Sequence, residues 1–340
     1  MTFEKIVGQE RAVEFLRHAL GSGRIAHTYA FVGPAGVGRK LTALAFAQAL
    51  LCTAHSPLTQ TLSPAGRGQG EEACGRCAAC GRVERLTHPD LHLIVPDGQT
   101  IKIDQVRELE REASLRAVEG RWKVFIVDEA ERMPLTTANA FLKTLEEPPA
   151  NTLIILVLSQ VQALPATVLS RCHVVRFVPL PEEEAVALLT GRGFSPIDAV
   201  RAARRYGGRV GLALSGEKNE WVAEIDEALS ILGEVRGKGP EPIFRHAEAI
   251  GRDRAKVESL IENYWLWYRD LLTAKAGGDS RLFIHEDRNA ELRQEAEGLS
   301  WDAIFDGLNQ CRAAWLALAG NTSPRLTLEV TLSRLGLRAA

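Results

Sequence analysis

The sequence predicts an α/β domain, built as a parallel sheet with helices on both faces, followed by a small helical domain and an all-α domain. Three observations carry this. The run from Tyr29 to Thr42 reads as an apolar strand, a glycine-rich turn and the start of a helix that continues to about Cys52. A second apolar strand, Lys123 to Val127, ends in the paired carboxylates Asp128 and Glu129. Further apolar runs at Leu91–Val95, Asn151–Leu158 and His173–Val178 alternate with helical patterns, which is how a parallel sheet buried on both faces reads.

The composition fits a soluble chain of two or three domains: 340 residues, 46% hydrophobic and 25% charged. A net charge of −2 gives no global basic field for nucleic acid, so any DNA contact is local or shared with partners. There is no signal peptide and no apolar run near the roughly 20 residues a membrane helix needs. The expectation is a cytoplasmic protein with no membrane partner.

In order along the chain, Phe3 to His27 carries Ala12, Phe15, Leu16 and Leu20 at helical spacing, a lead-in and an amphipathic helix. The glycine loop follows. A phosphate-binding loop of the pattern G-x-x-x-x-G-K-[ST] wraps phosphates with backbone N–H groups, reaches them with its Lys and holds Mg²⁺ through its hydroxyl. Gly33, Gly36 and Gly38 supply that framework here, but Arg39 stands at the Lys position and Lys40 at the Ser/Thr position. A guanidinium does not copy a compact ammonium. A charged lysine has no lone pair for a metal. Thr42 lies two residues late. The expectation is a nucleotide fold that has lost hydrolysis and in which ATP binding is unlikely. The plainer alternative is a glycine-rich turn that never met a nucleotide.

Thr53 to Glu72 is rich in Ser, Thr, Pro, Gly and Gln and reads as a flexible insertion. Of six cysteines, Cys74, Cys77 and Cys80 form two overlapping C-x-x-C steps, and Cys52 closes the preceding helix. Together they offer four thiolates for a tetrahedral, structural Zn²⁺. The 21 residues between Cys52 and Cys74 are a loose spacer, though loop closure costs rise slowly with length. His88 and His92 stand as alternative ligands should Cys52 point away.

Ile103–Leu115 and Thr136–Glu146 read as helices, the second stopped by Pro148-Pro149. Asp128 and Glu129 are placed as a metal-holding acid and a water-polarising acid, with an N-cap role for Asp128 as the structural alternative. Ser159, at the end of the most apolar strand, sits where a small polar group can sense a γ-phosphate. Pro179-Leu180-Pro181 breaks the chain, giving domains at 1–179 (with a zinc module at 52–80), 180–218 and 219–340. In the last of these, Val257, Leu260, Ile261, Tyr264, Trp265, Tyr268, Leu271 and Leu272 form one apolar stripe. Five of the six Trp lie in this region, as core or as a subunit contact.

Several stretches together resemble one family. They are Ile6-Val7-Gly8-Gln9, Gly33–Lys40, Cys74–Cys80, Asp128-Glu129-Ala130, Ala138 through Leu145-Glu146-Glu147-Pro148-Pro149, Leu169-Ser170-Arg171-Cys172, and the tail Asn321–Glu329. This set resembles bacterial DNA polymerase III clamp-loader subunits of the AAA+ class, over nearly the whole chain. The resemblance implies a P-loop NTPase-like first domain, a helical lid and a helical collar for hetero-oligomerisation. Its implied partners are gamma/tau-type motor and delta subunits, a sliding clamp, and primed DNA through the assembled complex.

It also implies a role for Arg171: an arginine finger lent in trans to a neighbour's ATP, stabilising charge in the transition state. Such fingers are worth roughly 10³–10⁵ in rate in well-studied GTPases. Where the family's motor subunits carry an arginine in the second domain, this sequence has Gly211, within Gly208–Leu214. The two lost cations resemble the family's non-hydrolysing stator, with no ATPase of its own expected. An ATP-hydrolysing motor subunit is the alternative, with Lys40 shifted into the lysine role. An unrelated zinc-bearing DNA-binding module is a third reading, disfavoured by the near-neutral charge.

Overall fold

The computed structural model describes residues 2–54, 72–215, 220–320 and 322–336, with the side chains of residues 220–222 excepted. Most of the insertion expected at Thr53–Glu72 therefore lies outside the described residues, as does Asn321. The chain divides into two compact units, residues 1–188 with 208–212, and residues 189–207 with 213–340.

In the first unit α1 (Glu10–Ser22), α2 (Arg39–Leu51), α3 (Ala78–Glu84), α4 (Ile103–Ser114), α5 (Leu135–Glu146) and α6 (Ala166–Leu169) surround five strands. These are β1 (Thr28–Val32), β2 (Leu91–Ile94), β3 (Lys123–Val127), β4 (Thr152–Leu158) and β5 (His173–Arg176), in the order β2-β3-β4-β1-β5. Every pairing is parallel, as the continuous apolar runs predict. The central strands β1, β3 and β4 are buried along their whole length, whereas the edge strand β5 buries only Val175. Alternate residues feed opposite faces. Tyr29, Phe31, Ile126 and Ile155 pack with α1, α2 and α3. Ala30, Phe125, Ile154 and Leu156 pack with α4 and α5.

Register sets the functional edge. Val32 pairs with Leu158, and Val127 with Leu156. Gly33, Asp128 and Ser159 are the next residues of neighbouring strands, so all three emerge at the carboxyl edge of the sheet. That edge is where open α/β sheets bind ligands. The expected amphipathic α1 is present, but Phe15 is 45% exposed, a correction to its expected place on the apolar face. Its ring instead stands edge-on to Tyr29, with centroids 6.3 Å apart.

The helices after β5 are α7 (Glu182–Gly191), α8 (Pro196–Arg205), α9 (Val210–Ser215), α10 (Glu220–Lys238), α11 (Glu241–Ile250), α12 (Arg254–Lys275), α13 (Asn289–Gly298), α14 (Trp301–Ala319) and α15 (Pro324–Gly336). In the second unit α12 is central and packs against α10, α13, α14 and α15. A helix covered on several sides buries more than one stripe. Trp267, outside the expected stripe, is fully buried, while Trp265 and Leu272 are only half-buried. Trp265 meets Trp315 across α12 and α14, the rings tilted by 36° with centroids 5.7 Å apart.

Candidate functional site

The glycine loop has the backbone that its sequence requires. Gly36 and Gly38 hold φ of +83° and +95°, in the left-handed region that costs a side-chain-bearing residue dearly. Gly33 is needed for a different reason: a Cβ there would meet the Phe177 carbonyl oxygen at 2.4 Å. Gly38 then caps α2, so Arg39 and Lys40 open that helix. Thr42 is fully buried, its hydroxyl donating back to the Gly38 carbonyl at 2.9 Å. It offers nothing to a ligand.

Arg39 and Lys40, at the start of α2, face the acids across the sheet edge. Lys40 Nζ lies 3.0 Å from Asp128 Oδ2. The ammonium thus stands against the carboxylate where a working site would set its divalent cation. Arg39 is half-buried, and its Nη1 is buried without a hydrogen-bond partner among the described residues. Burial pushes its pKa down, opposed by the nearby charges of Glu131, Asp128 and Glu129. Glu129 adopts φ of +49° and pairs with Arg132 at 2.6 Å. Asp128 Oδ1 accepts the N–H of Glu129 at 3.1 Å rather than capping a later helix turn. The Ser159 N–H donates to Glu131 Oε1 at 3.0 Å. The expected loop residues, the acid pair and Ser159 therefore come together at one edge, and Glu131 joins them.

Arg171 stands apart from this cluster, in the short link between α6 and β5. All three side chains of Ser170-Arg171-Cys172 tie back to the end of α6. Ser170 Oγ and Arg171 Nη1 donate to the Thr167 carbonyl at 3.0 and 2.7 Å, and Cys172 Sγ donates to the Val168 carbonyl at 3.2 Å. Arg171 Nη2 also pairs with Glu146 Oε1 at 2.5 Å. Burial raises the Cys172 thiol to about 12, so it stays neutral beside the guanidinium.

The four expected cysteines converge. The Sγ atoms of Cys52, Cys74, Cys77 and Cys80 all lie within 4.8 Å of one another. The Cys52–Cys77 and Cys74–Cys80 sulfur pairs are each 3.9 Å apart. A tetrahedral zinc with Zn–S near 2.3 Å separates its sulfurs by about 3.8 Å, so the set fits that ion. Backbone N–H groups point at the sulfurs, as they do around thiolates: Cys74 N to Cys52, Cys77 N to Cys74 and Cys80 N to Cys77, at 3.4–3.5 Å. The Arg76 N–H lowers the Cys74 thiol. Against the cost of burial, donors led by the Cys80 N–H bring Cys77 down to about 5. Burial pushes Cys80 up. His88 and His92 are not part of the cluster: His88 Nδ1 accepts the Asp90 N–H at 3.1 Å, and His92 stacks on Phe125.

Residues 8–181 match the family described as DNA polymerase III, delta subunit. The delta' subunit of DNA polymerase III from Bacillus subtilis (strain 168) is 30% identical over 292 residues, covering 85% of this chain and 84% of its own length. The chain belongs to the DNA polymerase III delta subunit family. The tau subunit from the same organism is 24% identical across 98% of this chain, which spans 61% of that longer protein. A gamma subunit-related protein of known structure from Thermotoga maritima has TM-score 0.42 and 15% identity, over 97% of this chain and 100% of its own.

This member of the delta subunit family also uses residues whose roles the sequence did not reveal. Gln9 is almost fully buried, and its amide bridges two segments. Nε2 donates to the carbonyls of Val178 and Val37 at 2.6 and 3.3 Å, while Oε1 accepts the Val178 N–H at 3.2 Å. It thus ties the glycine loop to the chain leaving β5. Its place in the Ile6-Val7-Gly8-Gln9 stretch was a signal of importance but not of this bridging role. Gly211 is the other. Its N–H donates to the Gly36 carbonyl at 2.7 Å, and a Cβ on it would meet that oxygen at 2.6 Å.

Proposed function

We propose that this chain is the delta-prime stator of the DNA polymerase III clamp loader. It works in a hetero-oligomer with gamma/tau-type motor and delta subunits that loads a sliding clamp on primed DNA. The observation that carries this reading is the Lys40–Asp128 ion pair at 3.0 Å. The ammonium stands against the acid that would hold Mg²⁺, so a metal ion would have to displace it without the hydroxyl that the working pattern supplies. This favours reading the chain's own loop as a scaffold over the motor-subunit alternative.

Its link to ATP chemistry is Arg171. The side chain is about one-third exposed on the link before β5. A guanidinium is always charged and presents several N–H donors in a plane, which suits the spread charge of a phosphoryl group in flight. Docked beside a neighbour's ATP, it adds positive charge where negative charge develops. The chain is further organised as a nucleotide-fold domain, a lid near residues 180–218 and a collar from 219 onward. The four cysteines hold a structural zinc, and no position is left open for a substrate.

The test is ATP turnover by a complex reconstituted with motor and delta subunits. Arg171→Ala is expected to leave assembly and melting temperature unchanged and to lower turnover at the neighbouring site at least tenfold. Unchanged turnover in an assembled Arg171→Ala complex would remove the trans role. Turnover by the isolated chain, abolished by Glu129→Gln, would make it a motor instead.

A further inference from the structure

The structure assigns a positioning role to Glu146, acting on Arg171; this deepens, and rests on, the reading of Arg171 given above. Arg171 Nη1 meets two acceptors from its own turn, the Thr167 carbonyl at 2.7 Å and Ser170 Oγ at 3.2 Å. Those contacts hold one corner of the guanidinium and leave it free to swing. Glu146 supplies the third point, from a different element: its Oε1 takes Nη2 at 2.5 Å. Acceptors on two sides fix the plane of the group. The second Nη2 hydrogen and Nε–H have no acceptor among the described residues, so a phosphate oxygen can still be met.

Glu146 is well placed to orient another group. It is the last residue of α5, whose final turn is anchored by buried Phe141 and Leu145. The Glu147 N–H closes the helix on the Lys143 carbonyl at 3.0 Å, and Pro148-Pro149 prevents continuation. The carboxylate therefore sits on a rigid terminus and not on a free loop. Among the described residues it is the one carboxylate bonded to Arg171, and Arg171 is its one partner.

The pair is also weak enough to serve this purpose. The two side chains are 35% and 50% exposed, and exposed ion pairs contribute little because water and salt screen them. A phosphate with more than one negative charge outcompetes a single screened carboxylate. Glu146 thus pre-sets the direction of the guanidinium without withholding it, cutting the ordering cost at the moment of docking.

The experiment is a double-mutant cycle on ATP turnover of the reconstituted complex. Glu146→Ala and Glu146→Gln are expected to lower kcat about three- to tenfold with KM for ATP nearly unchanged, the mark of lost orientation rather than lost binding. Glu146→Asp, which keeps the charge, recovers part of the loss. In an Arg171→Ala background neither Glu146 substitution has any further effect. If Glu146→Ala slows turnover equally with and without Arg171, or if turnover is untouched while Arg171→Ala slows it, the positioning role is overturned and the arginine finger stands. If Arg171→Ala itself is silent, the finger reading fails and the positioning role fails with it.

Discussion

The N–H of Gly211 donates to the carbonyl of Gly36 at 2.7 Å, joining the first turn of α9 directly to the glycine loop. A Cβ at either position has no room: one on Gly36 would meet Leu212 Cγ at 2.7 Å and one on Gly211 the Gly36 oxygen at 2.6 Å. The glycine at position 211 is therefore a packing requirement.

Gly211→Arg should break this contact. The substitution forces backbone apart from backbone, an overpacking cost of about 1–3 kcal/mol. Hydrogen exchange should show faster exchange at residues 33–38 and 208–212, with zinc content unchanged. Protection equal to wild type would mean the contact does not hold the loop.

Restoring the loop's cation chemistry should restore binding. Arg39→Lys with Lys40→Thr removes the ion pair at Asp128 and returns a hydroxyl to the metal position. Calorimetry is expected to show no Mg²⁺-dependent ATP binding by the wild-type chain and measurable binding by the double variant. Tight binding by the wild type would contradict the role assigned to Lys40.

Metal removal should be structural in its effect. We expect one zinc per chain, released by Cys80→Ser or by strong chelation with a fall in melting temperature. Structural zinc in small peptides contributes on the order of 10 kcal/mol, so the loss should be large. A chain that purifies with no zinc and melts identically after chelation would refute this.

Cys311 gives a pH signature in the second unit. It is fully buried, and burial raises its thiol from the ordinary 9.0 to about 12. The folded state then keeps a proton that the unfolded state releases above pH 9. The stabilisation is complete below about 9 and declines as pH rises toward 12. Urea unfolding at a series of alkaline pH values should show a shallower decline for Cys311→Ala than for wild type. Parallel curves would rule out this source.

Much of the first unit was legible because its physics is local. Strands buried on both faces are continuous apolar runs, and the glycine loop and C-x-x-C steps have fixed spacings, so Arg39, Lys40 and the cysteines could be read as they stand. What was hidden depends on residues far apart in the chain. Nothing near Lys40 says that Asp128 will meet it, nothing near Gly211 names Gly36, and nothing near Glu146 points to Arg171. Phe15 and Trp267 were misjudged because periodicity reports one covered face, while neighbours decide how many faces are covered.

One helix joins the two chemistries of the first unit. α2 begins at Arg39, directly after the glycine loop, and ends at Leu51, with Cys52 the next residue. Its thirteen residues make a rod about 20 Å long. Every residue from Thr42 to Leu51 is buried, so the rod has little freedom to bend. Were the four cysteines to hold a metal, a displacement at the loop would be delivered along this rod to one of its ligands. Cobalt bound by those cysteines, with its visible ligand-field colour, would then report strain at the loop without any label near the loop itself.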